Sequence, residues 1–396
     1  MQTAENKSLM IFKMSKNFFA ISVFCLCLGL GFSNASANTP DHGSDSAAHI
    51  EHLAEEEHAE EGGFNAGEMI MHHIADAHEI HFFNTTSWHA TIPLPVILYT
   101  ENGLEMFSSS NLYHNPAHLE TGHGFEYGNF IMVDEVVYLK NEEGGISYDE
   151  AGSILNKAPL DLSITKTVVG LFLSTFLVLL LLILVGRKYK KNGHKVAPTG
   201  IQSLFEPLIL FVKDQIVVPS IGGEKKAERF LPFLLSVFFF IWIANLLGLM
   251  SFLGGYNVMG SISVTMVLAF FVFVITNVNG NKNYWKHIFW PDGVPFAIKL
   301  ILVPIEIAQI AIKPLVLMIR LTANITAGHI IILAFTALIF IFGQTSAIAG
   351  YSVGVGSLIF MVFMFFIELL VAFLQAYVFT LLSALYFGSA IEDAHH

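Results

Sequence analysis

Two apolar tracts, residues 294–343 and 354–388, are each too long for a perpendicular membrane crossing. At about 1.5 Å per helical residue, fifty residues reach about 75 Å and thirty-five about 52 Å, against a hydrocarbon layer about 30 Å thick. Either the first tract is two spans with a tight turn near Lys313-Pro314, or both tracts are strongly inclined helices packed side by side. A turn in lipid leaves backbone groups unpaired and would put the C-terminus outside, so the inclined pair is favoured.

Within the longer tract lies Arg320, in the run MIRLTANITAGHI. Its guanidinium stays charged at physiological pH, and either end of the tract is roughly 30 Å away, beyond the reach of a snorkelling side chain. Holding that charge at a bilayer centre costs at least about 2.5–3.5 kcal/mol, and intramembrane charges usually mark ion or charge pathways.

The 396 residues are 54% hydrophobic and 13% charged, with mean hydropathy +0.61, which places the chain among polytopic membrane proteins with a polar portion attached. The polar portion is acidic. Residues 38–161 carry 22 Asp and Glu against Lys140 and Lys157, together with 12 of the 17 histidines. A segment so poor in Lys and Arg belongs on the side away from the cytoplasm.

Ahead of it, Lys7, Lys13 and Lys16, an apolar core from Phe18 to Phe32 and Ala35-Ser36-Ala37 read as a signal peptide over 1–37, with an uncleaved anchor as the alternative. Cys25 and Cys27 lie in that core, so a mature chain would have no disulfide or Cys metal site. The external run HHIADAHEIH offers imidazoles but no closed ligand spacing. No metal and no cofactor are expected.

Residues 38–83 read as polar chain followed by one short helix. From Trp88 to Tyr148, β-prone runs (TIPLPVILYT, NFIMV, EVVYLK) between turn signals predict a small β-rich unit. The domain division is thus a signal over 1–37, an external region over 38–160 and a membrane domain over 161–396. In the membrane domain, spans are expected near 162–185, 230–250 and 261–278, followed by the two long tracts. Arg187, Lys188, Lys190, Lys191 and Lys195 mark the cytoplasmic end of the first span. Residues 201–221, with Glu206, Lys213 and Asp214, read as an interfacial amphipathic helix with a solvated polar face. The fold class is therefore all-α and polytopic, with about five membrane helices, an interfacial helix and a small external β-rich region.

On a helical wheel, Glu306, Gln309, Lys313 and Asn324 fall within about 40° of Arg320. Thr322, Thr326 and His329 gather on the opposite side. On the last tract Glu368, Gln375 and Tyr386 share one face. With the outer turn taken as 343–354, His329 and Glu368 each lie 14 residues in, while Arg320 lies 23 in and Gln375 lies 21 in. That depth match pairs His with Glu in the outer half and Arg with Gln near the middle. Glu306 lies towards the cytoplasmic end. Acids at two depths with a fixed cation between them suggest two separated proton paths. As simpler roles, His329 and Glu368 could lock two helices, Glu306 could pair with Lys313, and Gln375 and Asn324 could be interhelical hydrogen-bond glue.

The block KPLVLMIRLTANITAGHI followed by ELLVAFLQAYVFTLLSALYF resembles subunit a of the F-type ATP synthase, over roughly residues 160–390. The resemblance fixes Glu306, Lys313-Pro314, Arg320, Asn324, Gly328 and Gln375 together. It also places Asn245 at the polar position of the second span, in FLPFLLSVFFFIWIANLLGLM. In many bacterial members Glu stands where this chain has His329, and His where it has Glu368.

The resemblance implies a proton-translocating stator subunit with two half-channels and an essential Arg320 facing a rotating c-ring. Glu306, Asn324, His329, Glu368 and Gln375 would serve translocation, supported by Lys313, Asn245 and Tyr386. The implied partners are c subunits, a peripheral-stalk b subunit, the other ATP synthase subunits and the bilayer of a bacterial inner membrane. No nucleic acid is implied. No G-x-x-x-x-G-K phosphate loop is present, so the chain by itself is not expected to be an enzyme or to bind nucleotide. The alternatives are a secondary transporter in which Arg320 binds an anionic substrate, and a membrane scaffold with a His-rich external sensor. The first expects repeats or broken helices, which the sequence does not offer.

Overall fold

The computed structural model describes residues 65–85, 88–113, 125–141, 144–149, 153–192, 200–250, 254–291 and 293–392. The signal-peptide reading of residues 1–37, with Cys25 and Cys27, lies outside the described residues. So do the polar chain up to residue 64 and Lys195. The described residues fall into two compact units, one of 167–326 and 367–392, the other of 65–166 and 327–366.

In the second unit, helix α1 (Ala66–Ile74) leads into three small antiparallel sheets. Strands β1 (Glu79–Thr85) and β2 (Trp88–Pro93) pair alone. Strand β3 (Pro95–Thr100) lies between β4 (Gly103–Ser108) and the two-residue β8 (Leu160–Asp161). After the short α2 (Ser110–Tyr113), β5 (Phe125–Tyr127), β6 (Phe130–Val133) and β7 (Val136–Leu139) form the third sheet. Alternation in β3 buries Val96 and Leu98, which join Leu112, Phe130, Met132 and Val137 in one apolar cluster. The β-prone runs thus form strands as expected. The strands EIHFFNT and GLEMFS were not foreseen; in GLEMFS the apolar Leu104 and Met106 face outward, so no buried alternation marks it.

The hairpin turn between β6 and β7 is Asp134-Glu135, with φ of 50° and 66°. A two-residue hairpin loop with both residues at positive φ normally takes Asn-Gly. Two acidic side chains there carry strain of order 1–3 kcal/mol each.

Four described helices are long and apolar enough to cross a membrane: α3 (Lys166–Asn192), α6 (Glu224–Leu249), α9 (Phe296–Thr345) and α10 (Ala347–Ala390). A fifth crossing follows if α7 (Ile262–Val278) and α8 (Lys282–Phe289), bent 102° to each other, count as one broken span. Between α3 and α6, the expected interfacial segment forms α4 (Ile201–Phe211), a π-helical turn over Val212–Val217, and α5 (Val218–Ile221). Its Lys213 bonds Glu224 at 3.0 Å on an exposed surface.

Each long tract is one continuous helix. Pro304 and Pro314 sit inside α9 without making a turn. The outer turn is only Ser346, shorter than the 343–354 taken from composition. The glycines there are helical, and Gly350 approaches so closely that a Cβ on it would stand 2.8 Å from the Gly343 Cα. Counted from Ser346, His329 lies 17 residues away and Glu368 lies 22 away. Beyond the turn, Phe335 packs at a tilt on Phe360 with centroids 4.3 Å apart, and the Thr336 hydroxyl points at the Met361 sulfur, 3.4 Å away.

In the first unit α6 is the hub, with 83% of its most apolar window buried against 6% for α9. Phe373 of α10 packs edge-on against Phe238 and Trp242, and Phe387 packs against Phe230 and Phe233.

Candidate functional site

Helix α9 buries Pro314, Leu317 and Leu321, a stripe at helical spacing that leaves the neighbouring face outward. Lys313, Arg320 and Asn324 are exposed on that outward side, among the exposed Ile312, Leu315, Val316 and Ile319. Among the described residues no carboxylate or hydrogen-bond acceptor engages the Arg320 guanidinium. Tyr386 lies within its electrostatic reach. Near the middle of a long apolar helix, this chain therefore presents an unneutralised cation on its own surface.

The opposite polar stripe has a different fate. Thr322 shares a 2.7 Å hydrogen bond with Thr265 of α7, so this member joins two helices. On α10, Glu368 and Gln375 are buried. The Glu368 Oε1 has no hydrogen-bond partner, an expensive omission for a buried carboxyl oxygen. Asn245 of α6 donates from Nδ2 to the Ala372 carbonyl at 3.3 Å, while its buried Oδ1 has no partner. Asn245 and α10 therefore meet within one unit. His329 belongs to the other unit, where the Lys166 ammonium lies within its electrostatic reach.

A cavity of about 390 Å³ opens beside α9. Glu306, Gln309 and Lys313 line it together with Tyr284 and His287 of α8 and Glu392. A second, narrow cavity of about 20 Å³ shares Tyr284, Lys313 and Ser389 with the first and reaches Thr276, Asn277 and Tyr386. The Lys313 ammonium stands 5.8 Å from the Tyr386 ring centroid. Glu306 and Lys313 thus line one cavity, and Lys313 and Tyr386 line its neighbour. Tyr284 and His287 were missed because NKNYWKHIFW reads as a basic, aromatic loop, and only its fold-back against α9 makes it a wall; Thr276 and Asn277, at the end of α7, were missed as ordinary polar residues of a span. The alternation of His, Tyr and Trp over one short helix was the available signal.

A separate polar cluster lies in the other unit. His78 is 2% exposed. Its Nε2 stands 3.1 Å from Asp161 Oδ2 and its Nδ1 3.8 Å from Glu135 Oε2, the latter too long for a hydrogen bond. The Tyr113 hydroxyl donates to Glu135 and accepts the His78 amide at 3.3 Å. Asp161 Oδ1 accepts the Ser163 amide at 2.8 Å. Burial alone would depress the His78 imidazole, but the Asp161 hydrogen bond and the charges of Asp161 and Glu135 outweigh it and push its pKa up to about 9. Burial would raise Asp161, yet His78 and Ser163 hold it below the usual range. Burial and the Glu135 charge raise Tyr113, which stays protonated. Among the described residues no three His, Cys, Asp or Glu converge as a metal ion would require.

A family model described as ATP synthase A chain matches residues 168–388, and a second, described as a domain of unknown function, matches residues 69–162. The chain is 43% identical over 274 residues to ATP synthase subunit a 2 of Chlorobaculum tepidum, covering 66% of this chain and 74% of that protein. It is 37% identical over 285 residues to ATP synthase subunit a of Chloroherpeton thalassium, covering 70% and 77%. To ATP synthase subunit a of Myxococcus xanthus it is 40% identical over 243 residues, covering 60% and 76%.

Proposed function

Because the chain belongs to the ATP synthase A chain family, we propose that it is the stationary membrane subunit passing protons to a rotating ring of c subunits in an F-type ATP synthase. The observation that carries the reading is the Arg320 guanidinium, outward-facing and with no carboxylate partner among the described residues. Such a cation is tolerable where a partner brings a carboxyl group past it. An ionised carboxylate facing lipid is prohibitive, so each c site must be protonated before it leaves the interface. At the interface Arg320 stabilises the ionised form and repels a proton crossing directly between the two paths.

On the inner side, the neighbouring cavities lined by Glu306, Lys313, Tyr284 and Tyr386 support a polar half-channel that would release protons. His329 and Glu368 would line the outer half-channel, with Asn245, Gln375 and Asn324 fixing the helices and ordering water between them. At about 75 Å, α9 fits a layer about 30 Å thick only if strongly inclined, and that lays a long face against the ring. Each elementary charge moved through 100 mV supplies about 2.3 kcal/mol, so several protons are combined per ATP made by other subunits. This chain contributes conduction and not nucleotide chemistry. Residues 38–160 would lie outside a bacterial inner membrane and the C-terminus inside, consistent with Arg187 and Lys188 at the end of α3.

The test is Arg320→Ala in the complete complex reconstituted into vesicles. ATP-driven proton pumping should be lost while the c subunits and the peripheral ATPase still copurify. Normal pumping refutes the role. Absence of c subunits from the wild-type preparation points to the secondary transporter instead.

A further inference from the structure

The chain from Leu160 to Ile164 continues along β3 beyond the two residues of β8. The Leu162 amide donates to the Ile97 carbonyl at 2.8 Å, and the Ile164 amide to the Pro95 carbonyl at 3.2 Å. The Lys166 amide, opening α3, then donates to the Ala77 carbonyl at 2.9 Å, and the Thr165 hydroxyl donates to Asp76 at 2.8 Å. The sheet thus reaches the first membrane helix with only Thr165 between them. His78, next to Ala77, braces this joint through its bond to Asp161 of β8.

Alternation gives the sheet two unlike faces. Val96, Leu98 and Ser163 point inward and are buried. The other face is built in rows: Tyr99 lies between Leu104 and Leu160, Ile97 between Met106 and Leu162, and Pro95 between Ser108 and Ile164. None of these positions is charged, although residues 38–161 carry 22 Asp and Glu against Lys140 and Lys157. Tyr99, Leu104, Met106 and Leu160 are all exposed, Met106 at 63%. An antiparallel sheet with one face in water carries polar residues on that face. A contiguous exposed apolar patch instead marks contact with a partner or a membrane.

We infer that this face lies on the bilayer leaflet at the N-terminal end of α3, seated among phospholipid headgroups. The β region is then a foot that sets the depth of the first membrane helix. The joint decides the occupant. At about 3.3 Å per residue, the chain from Leu160 to Lys166 spans at most about 20 Å, whereas the headgroup layer is about 5–8 Å deep on each side. A sheet standing upright on the bilayer would hold Tyr99, Leu104 and Leu160 in water above that layer. A sheet lying down places the whole face within it. A second copy of the chain fits less well, because two regions with so large an excess of acid repel each other. For the same reason the contact is apolar and needs no anionic lipid. Tyr99, in the outermost row, has the apolar ring and polar tip that suit a membrane–water interface. The inference needs the membrane-spanning helices but not the proton-conducting reading of them.

The test uses the complete complex in phosphatidylcholine vesicles. Cys25 and Cys27, the two cysteines of the chain, are changed to Ser, and Met106→Cys carries an environment-sensitive fluorophore. Met106 is exposed on an edge strand, so the label should leave assembly intact, read as copurification of c subunits. Leu104→Cys takes its place if it does not. Interfacial apolar groups sit about 5–10 Å into the headgroup and acyl boundary, so phosphatidylcholine spin-labelled near its headgroup should quench the emission about twofold or more. Salt at about 1 M should leave that quenching unchanged. Quenching that disappears in salt overturns the inference, because charge would then hold the unit down. Absence of lipid quenching overturns it as well: quenching by aqueous iodide instead puts the face in water, and quenching by neither puts a protein over it. The Arg320→Ala complex should keep full lipid quenching while losing pumping, so failure of this inference is distinct from failure of the proposed function.

Discussion

Replacing His78 by Gln tests the electrostatics of the buried cluster by itself, apart from any transport. Raising the imidazole from its ordinary 6.5 to about 9 is worth about 3 kcal/mol, at about 1.4 kcal/mol for each tenfold in proton affinity. The group is 2% exposed, so solvent screening removes little of this. A raised pKa contributes stability that is complete below pH 6.5 and is lost as pH climbs through about 9. Asp161 acts in the opposite sense. Its depressed pKa contributes stability above the ordinary Asp value, and that is lost as pH falls through the folded one. The joint should therefore be firmest between mildly acidic and neutral pH.

Hydrogen exchange reads this locally. The Leu94 and Lys166 amides bond the His78 and Ala77 carbonyls and report opening of the joint. After correction for intrinsic exchange, protection in wild type over His78→Gln should be roughly 300-fold near pH 6 and shrink towards unity by pH 10. A ratio that stays flat across that range refutes the argument, because the pairing of a charged imidazole with two carboxylates could not then be what holds the joint.

A Cβ on Gly388 would fall on the Ser220 carbonyl oxygen, which is backbone and cannot swing aside. Gly388→Ala should therefore cost about 1–3 kcal/mol or more, seen as a lower thermal midpoint in detergent; an unchanged midpoint sinks the claim. Thr322→Val removes only the bond to Thr265 and should cost about 0.6 kcal/mol while leaving proton flux intact. A large loss of flux would put Thr322 on the proton path instead. For His329 and Glu368, the single replacements His329→Glu and Glu368→His should each impair pumping and the double exchange should recover much of it. If the exchange is no better than the singles, direct pairing loses its support.

The membrane helices were legible because apolar length is a local property. Runs around 166–189 and 224–249, and the two long tracts, announce themselves whatever surrounds them. The continuity of α9 through Pro314 was legible too, from the cost of unpaired backbone in lipid. The position of the outer turn was not: the helices run almost to each other at Ser346, and only the fit of Gly350 against Gly343 explains why so short a link suffices. Glycine-rich composition suggested a longer break there. In the external region the buried strands were readable as β-prone runs between turn signals, whereas β8 is two residues whose pairing depends wholly on β3.

For the site, a helical wheel found the side chains that share a face but could not tell an outward face from a bonded one. Arg320 and Thr322 are both polar residues in an apolar run, two positions apart. One is exposed and has no carboxylate partner among the described residues, the other is tied to α7, and spacing along the sequence does not say which of the two faces is turned outward. What separates them is the stripe of Pro314, Leu317 and Leu321, which turns one side of α9 into the protein and the other away from it. A permanent cation on the side turned away cannot be satisfied from within. Helix dipoles act only near the ends, and the nearest end of α9 is some 25 residues off. In the proposed reading a second molecule that carries an acid at the same depth supplies the compensation, which is why that reading turns on one residue's orientation more than on its charge.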